Sequence, residues 1–268
     1  MTTTERFQVS VEAAELYEST FVPAIFAEWA PLLIDTGRVE PGHSVLDVAC
    51  GTGIVARTAA DRLAGTGRVV GLDLNAAMLA VARRVRPDLE WQQGDAAALP
   101  FPAGAFDRVL CQMALMFFPD RAAALREMAR VAAPGGVVAV CVPAALDRQP
   151  AYGPFVEMAV DRAGPAARAL LSAYWVCGDP DELAATVRAA GLEVVESRTH
   201  LGAASFPSPE ALAETEVRGS PLVDRISDEV FAWIREGAKE VLRPFTGPAG
   251  AVEAPLRGLL LAARVPGG

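Results

Sequence analysis

Lysine is almost missing from this chain: Lys239 is the single one in 268 residues, and 33 acidic residues outweigh 24 basic ones to give a net charge of -9. Phosphate backbones and anionic membrane surfaces select clustered basic side chains, so neither a nucleic acid nor a membrane is expected as a partner. Histidine is nearly as scarce, with only His43 and His200. The four cysteines, Cys50, Cys111, Cys141 and Cys177, include no C-x-x-C pair. That combination speaks against a structural zinc site, and no metal is expected. Free thiols suit a reducing cytoplasm. No apolar run reaches membrane-spanning length, and the opening Met1-Thr2-Thr3-Thr4-Glu5-Arg6 lacks the basic start and apolar stretch of a leader. A cytoplasmic location is the expectation.

What remains is ordinary globular material. Hydrophobic residues make up 52% and charged residues 21%, enough to bury a sizeable core. Apolar positions from Val9 to Leu33 recur at helical spacing and predict two short helices broken by Pro23 and Pro31. Ser44 to Ala49 then reads as a strand running into Cys50-Gly51-Thr52-Gly53, followed by a helix over Ile54–Leu63 and a second strand over Arg68–Leu72 that ends at Asp73. Asn75 caps a helix to Arg84, Leu89–Gln93 is a third strand ending at Gly94-Asp95, and Phe106–Met113 is a fourth. A helix from Arg121 to Ala132 stops at Pro134-Gly135-Gly136, before an apolar strand over Val137–Val142. Five strands alternating with helices imply a parallel α/β sheet. Strands over Leu192–Ser197 and Gly258–Val265 bring the count to seven. A helix opening at Asp179-Pro180-Asp181-Glu182 precedes the first of these, and Ser208-Pro209-Glu210 starts another helix after it.

Ligands of open α/β sheets bind beyond the carboxyl ends of the strands. Three successive strand ends carry suggestive residues here. Gly51-Thr52-Gly53 lets backbone N–H groups approach a ligand closely, although a tight turn would need the same glycines. Asp73 lies about twenty residues further on, the separation at which a carboxylate accepts ribose hydroxyls in nucleotide-binding folds, although a helix cap would use the same residue. Asp95 can accept from an adenine amino group while Ala96 offers a backbone donor. Their joint occurrence points to a nucleoside-bearing ligand. A nicotinamide or flavin enzyme also fits, since Gly51-Thr52-Gly53-Ile54-Val55-Ala56 satisfies G-x-G-x-x-A. Asp47 inside the preceding strand and the second acid, Asp95, tilt against that oxidoreductase.

Val45-Leu46-Asp47-Val48-Ala49-Cys50-Gly51-Thr52-Gly53 resembles the first motif of class I S-adenosylmethionine-dependent methyltransferases. The likeness continues through Val70-Gly71-Leu72-Asp73-Leu74-Asn75, Gly94-Asp95-Ala96 with Leu99-Pro100-Phe101, Phe106-Asp107-Arg108-Val109 and Pro134-Gly135-Gly136. Its order is most similar to the branch of quinone-biosynthesis and natural-product enzymes. The resemblance implies a Rossmann-like, mostly parallel seven-stranded sheet with the last strand antiparallel, helices on both faces and a helical cap. It implies S-adenosylmethionine as cofactor, S-adenosylhomocysteine as its product, and methyl transfer to a small organic molecule through oxygen or carbon. Among the site residues it implies Ala49, Gly51 and Gly53 beside the methionine moiety, Asp73 at the ribose, and Leu74 and Met78 on the adenine face. Gly94, Asp95 and Ala96 fall at the adenine edge, Gln112 and Met113 near the sulfonium, Asp47 behind the loop, and Tyr17 closes over the cofactor.

One methyltransferase domain is expected over 1–268, with a helical lid (1–40), a cofactor-binding core (41–142), a cap insertion (143–178) and the remaining sheet with further helical segments (179–268). Tyr17, Tyr152, Tyr174, Trp29, Trp175 and Trp233 all fall outside the core and suit the walls of an organic-acceptor pocket, or plain packing. If the acceptor is an alcohol or phenol, His200 is the histidine placed to act as base. A small-molecule acceptor and a monomer or homodimer complete the expectation. An enzyme of the same fold that binds the sulfonium without transferring its methyl group is the alternative.

Overall fold

The computed structural model describes residues 9–220 and 222–267. Residues 1–8 of the expected lid lie outside the described residues. Helix α1 (Val11–Leu16), capped by the Ser10 hydroxyl, runs directly into a π-helix (Tyr17–Phe26), and α2 (Trp29–Thr36) follows. The expected break at Pro23 does not occur. Proline clashes with the carbonyl four residues before it in an α-helix, and the wider π turn relieves that clash. The π-helix closes with Ala27 N donating to Val22 O at 2.8 Å. Pro31 sits in the first turn of α2, where no intrahelical donor is needed.

The sheet then builds through β1 (Ser44–Val48), α3 (Ile54–Leu63), β2 (Arg68–Asp73), α4 (Ala76–Val85), β3 (Glu90–Gln93), β4 (Phe106–Gln112), α5 (Arg121–Val131) and β5 (Ala132–Pro143). After α6 (Tyr152–Ala163), α7 (Ala166–Ser172) and α8 (Pro180–Ala189) come β6 (Glu193–Phe206), α9 (Pro209–Arg218), α10 (Asp228–Val241) and β7 (Val252–Arg264). The seven strands lie in the order β3-β2-β1-β4-β5-β7-β6. Parallel pairing joins β3, β2, β1, β4 and β5. Gly135 N donates to Val265 O, while Ala144 N donates to Arg257 O, so β7 runs antiparallel to β5, as expected.

Three boundaries differ from those read in the sequence. Strand β5 begins at Ala132, and Pro134-Gly135-Gly136 is a bulge within it rather than a helix stop. Phe106 pairs with Ala132 but Arg108 pairs with Val137, so the extra residues loop out between them. Gly135 there has φ +74, and a Cβ on Gly136 would stand 2.7 Å from the Ala133 carbonyl oxygen. Strands β6 and β7 are also each longer than expected. Only Glu193–Ser197 of β6 and the apolar end of β7 carried a strand signal, and the remainder is held by pairing partners distant in sequence.

The described chain divides into two compact units. The first comprises the described parts of 1–142, 180–198 and 259–268, and the second the described parts of 143–179 and 199–258. In the first, Leu46, Val70, Val109, Leu110 and Val140 of the central strands pack with Leu33, Val55, Leu79 and Met128 of the helices, all nearly inaccessible. In the second, Phe155, Ala159, Leu212, Ala213, Ile234 and Ala238 line the faces on which α6, α9 and α10 pack together. Each fully buried large apolar side chain contributes about 1.5–3 kcal/mol. Among the described residues, no helix is long and apolar enough to cross a membrane. No cluster of acidic, histidine and cysteine side chains among them could hold a metal ion.

Candidate functional site

Parallel pairing of β1, β2 and β3 sets their carboxyl ends side by side, and hydrogen bonds tie the loops that follow. Gly51 N donates to Asp73 Oδ2 at 2.7 Å, and Asn75 N donates to Asp73 Oδ1 at 2.8 Å. The carboxylate thus clasps the glycine loop to the start of α4, while the cap of α4 is Asn75, whose Oδ1 accepts from Ala77 N and Met78 N. Gly94 N donates to Asp73 O at 3.0 Å, adding the third strand end. Burial raises the Asp73 carboxyl above its ordinary range, against the opposing amides of Asn75, Gly51 and Leu74.

Asp47 has a different task. Helix α3 begins at Gly53, which has no side chain to cap it, and Asp47 Oδ2 accepts from Ala56 N at 2.9 Å from within β1. The carboxylate therefore answers an orphaned N–H at the positive end of the helix. Burial pushes its carboxyl up to about 8; the Ala56 amide opposes that, Asp73 adds to it and Arg57 opposes it. Cys50, buried beside the two carboxylates, has its thiol pushed far up and is unreactive at neutral pH.

The two glycines of the loop have different reasons to be glycine. A Cβ on Gly53, at φ +93, would meet the Trp91 ring at 2.2 Å, and one on Gly71 would meet the same ring at 2.4 Å. Trp91, pinned by Nε1 donating to Arg86 O at 2.9 Å, fills the space these glycines leave. Gly53 is thus fixed by packing. A Cβ on Gly51 would meet nothing nearer than the Tyr17 ring at 3.7 Å, so the backbone there is open beneath an aromatic cover. Tyr17 stacks on Phe26 at 5.2 Å and on Phe21 at 5.8 Å, which holds its ring in place. Ala49 and Met113 adopt positive φ, 56° and 48°, at the ends of β1 and β4. Non-glycine residues held there are strained, and such strain gathers at functional sites.

The first unit therefore brings together Tyr17, Asp47, Ala49, Gly51, Gly53, Asp73, Leu74, Met78, Gly94, Asp95, Ala96, Gln112 and Met113 at or beside the ends of β1, β2, β3 and β4. Asp95 is exposed, with Oδ1 accepting from Ala97 N at 2.8 Å, and Ala96 is buried next to it. His200 lies within β6, in the second unit, and not after a strand as expected, because β6 continues to Phe206. His43 precedes β1, where its Nδ1 accepts from Glu40 N at 3.0 Å.

Two further residues were not singled out in the sequence. Arg57 of α3 pairs with Glu18 of the π-helix at 2.8 Å and reaches Thr52 O at 3.4 Å, so the segment carrying Tyr17 is tied to the glycine loop. No local pattern links positions 39 apart. Around this loop several buried polar atoms have no hydrogen-bond partner: Glu18 Oε2, the Thr52 hydroxyl and Gln112 Oε1. Gln112 meanwhile donates from Nε2 to Phe26 O at 3.1 Å. Orphaned buried acceptors are destabilising until something supplies donors. A ligand with an ammonium group and hydroxyls meets that need, and the open backbone over Gly51 gives it room; the residues fit S-adenosylmethionine.

The family described as "Methyltransferase domain" matches residues 46–140. The chain is 42% identical over 115 residues to the 2-phytyl-1,4-naphtoquinone methyltransferase of Thermosynechococcus vestitus, covering 42% of this chain and 51% of that protein. It thus spans about half the length of that relative. It is 36% identical over 216 residues to the nocamycin O-methyltransferase of Saccharothrix syringae, covering 74% of this chain and 76% of that one. Among solved structures, phosphoethanolamine N-methyltransferase 2 of Haemonchus contortus, in complex with S-adenosyl-L-methionine, superposes with a TM-score of 0.61 at 19% identity, over 99% of this chain and 60% of that one.

Proposed function

This chain belongs to the S-adenosylmethionine-dependent methyltransferases, and from that premise we propose that it methylates a small organic molecule at oxygen or carbon. The observation that carries the proposal is the clasp at three strand ends: Asp73 holding the Gly51 loop and α4 together beneath Tyr17, with unsatisfied acceptors around it. An oxygen acceptor is favoured because the relative matched over 74% of the chain is an O-methyltransferase. A quinone-type acceptor is the second choice, from the naphthoquinone relative.

The bound cofactor would supply an electrophilic methyl group on a sulfonium. In this reading Asp73 orients it through the ribose hydroxyls, and Leu74 and Met78 flank its base with Asp95 and Ala96 at the edge. Ala49, Gly51, Gly53 and Gly94 shape the backbone around it. Glu18 and Gln112 offer acceptors to its ammonium end, Met113 borders the reacting end, and Tyr17 excludes water. Transfer from a sulfonium disperses charge, so positioning and exclusion of water are the main tasks left to the chain. His200 is the histidine candidate for a base. Full turnover in His200→Gln would remove it from the mechanism.

The test is isothermal titration of the purified protein with S-adenosylmethionine, S-adenosylhomocysteine and NADH, followed by mass analysis of phenolic and quinol acceptors. Binding of the two sulfur nucleosides and a product one methylene heavier support the reading. Binding without a methylated product favours the non-methylating alternative, and binding of NADH alone would replace both with an oxidoreductase.

A further inference from the structure

At the amino end of the sheet, opposite the strand ends assigned to the cofactor, two side chains are held face to face. The loop from α2 into β1 sets His43 against Arg108 of β4, with His43 Nε2 and Arg108 Nη2 3.2 Å apart. Other bonds fix both partners. Arg108 donates from Nε to Arg38 O at 3.0 Å and from Nη1 to Asp107 O at 2.8 Å. His43 Nδ1 accepts from Glu40 N at 3.0 Å, and the backbone around it is pinned: Gly42 N donates to Thr66 Oγ1 at 3.0 Å, and Arg68 N donates to His43 O at 3.1 Å. Arg38 in this loop has a φ of 51°, a strained value for a residue other than glycine. The ring cannot satisfy both of its contacts. A guanidinium and a backbone N–H only donate, so both ring nitrogens would have to accept, yet a neutral imidazole carries one N–H and a protonated one carries two. With Nδ1 accepting from Glu40 N, the ring proton sits on Nε2, and two donors are left facing each other.

We propose that His43 Nε2 and the Arg108 guanidinium form a binding site for a small, singly charged oxyanion, one oxygen of which accepts from both. A water oxygen can also take two donors, but it leaves the charge of Arg108 unanswered. The half-buried guanidinium touches two backbone carbonyls and an imidazole, none of them charged, and has no ion pair among the described residues. The neighbouring Asp107 carboxylate is engaged elsewhere: its Oδ2 accepts from Ser44 N at 2.8 Å and from Ser44 Oγ at 2.7 Å. Burial pulls Arg108 below its ordinary value; Asp107 and Glu40 oppose this, and Arg38 adds to it. Two acids and two arginines therefore act around the gap, a balance that suits one negative charge better than two. Hydrogen bonds that carry charge are the stronger kind, which favours an oxyanion over a neutral acceptor.

Because His43 and His200 are the only histidines, the ring can be observed directly. The probe is acetate: sodium acetate replaces sodium chloride at constant pH and ionic strength while the histidine ring nitrogens of the full chain are followed by NMR. The His43 signals are expected to move along a saturating curve with a midpoint of roughly 1–10 mM, while those of His200 stay in place. In Arg108→Gln the midpoint should rise by about tenfold or more. Should that variant not fold, His43→Ala takes its place with a second readout. Acetate at about ten times its wild-type midpoint should raise the thermal unfolding midpoint of the wild-type chain by a few degrees and leave that of His43→Ala where it is. A His43 ring that does not respond would overturn the proposal, since water or chloride then fills the gap as well as an oxyanion does. Equal movement of both rings would overturn it too, and so would an undiminished acetate response in either variant.

Discussion

Asp47 is a carboxylate held where water does not reach, facing one amide and the repulsion of Asp73. Its ordinary value is 3.8 and burial carries it to about 8. Between those values the unfolded chain holds the group ionised while the folded chain keeps its proton. The folded state therefore binds more protons, and stability falls as pH rises through this window, by up to about 1.4 kcal/mol per pH unit. Asp47→Asn keeps an oxygen for the Ala56 amide and removes the charge. Urea midpoints measured from about pH 4 to 8 are expected to decline less steeply in the variant, which should be the more stable protein at pH 8. Parallel profiles would mean that Asp47 is ionised in the folded chain. Asp73 is expected to respond in the opposite functional sense. Asp73→Ala removes the acceptor of two loop amides and of the proposed ribose hydroxyls, and affinity for S-adenosylhomocysteine should fall by roughly ten- to a hundredfold. Unchanged affinity in titration calorimetry would detach Asp73 from the cofactor.

At the scale of elements, the segment from Val11 to Phe26 is tied to the core by two ion pairs, Glu15 with Arg84 at 2.7 Å and the more shielded Glu18 with Arg57 at 2.8 Å. Glu18 and Arg57 are both largely shielded, with side-chain exposures of 23% and 12%. Glu18→Gln leaves Arg57 without its charged partner. Amide exchange across Tyr17–Phe26 should quicken while β1 and β4 remain as protected as before, and identical exchange would show that the aromatic stack and the Glu15–Arg84 pair hold the segment without it. Sequence alone could not reveal this tie, because pairs far apart in the chain leave no local trace. The central strands were legible for the contrary reason: parallel strands buried on both faces write continuous apolar runs, as Val137 to Val142 does. The cofactor loops were legible because glycine and aspartate at strand ends are local signals. Trp91 was not, since its role is to fill the space above Gly53 and Gly71 from another strand. The π-helix escaped because Pro23 looks the same whether it ends a helix or widens one.

Over the whole molecule, the proposed cofactor residues all belong to the first unit, so cofactor binding can be followed as a thermodynamic event in the full chain. A ligand that binds only the folded state stabilises it by about 2.7 kcal/mol at a hundredfold excess over its Kd. For a chain of this size that raises the unfolding midpoint by several degrees. S-adenosylhomocysteine should produce this shift and slow amide exchange in four loops, 49–53, 73–78, 94–96 and 112–113, and in the Tyr17–Phe26 segment. The interiors of β1 and β4, already protected by burial on both faces, should change least. The loops end separate strands and are joined chiefly by the Asp73 clasp, so their protection should rise together, and in Asp73→Ala it should become uneven. Protection confined to α9 and α10 would move the cofactor out of the strand ends and with it every role assigned there.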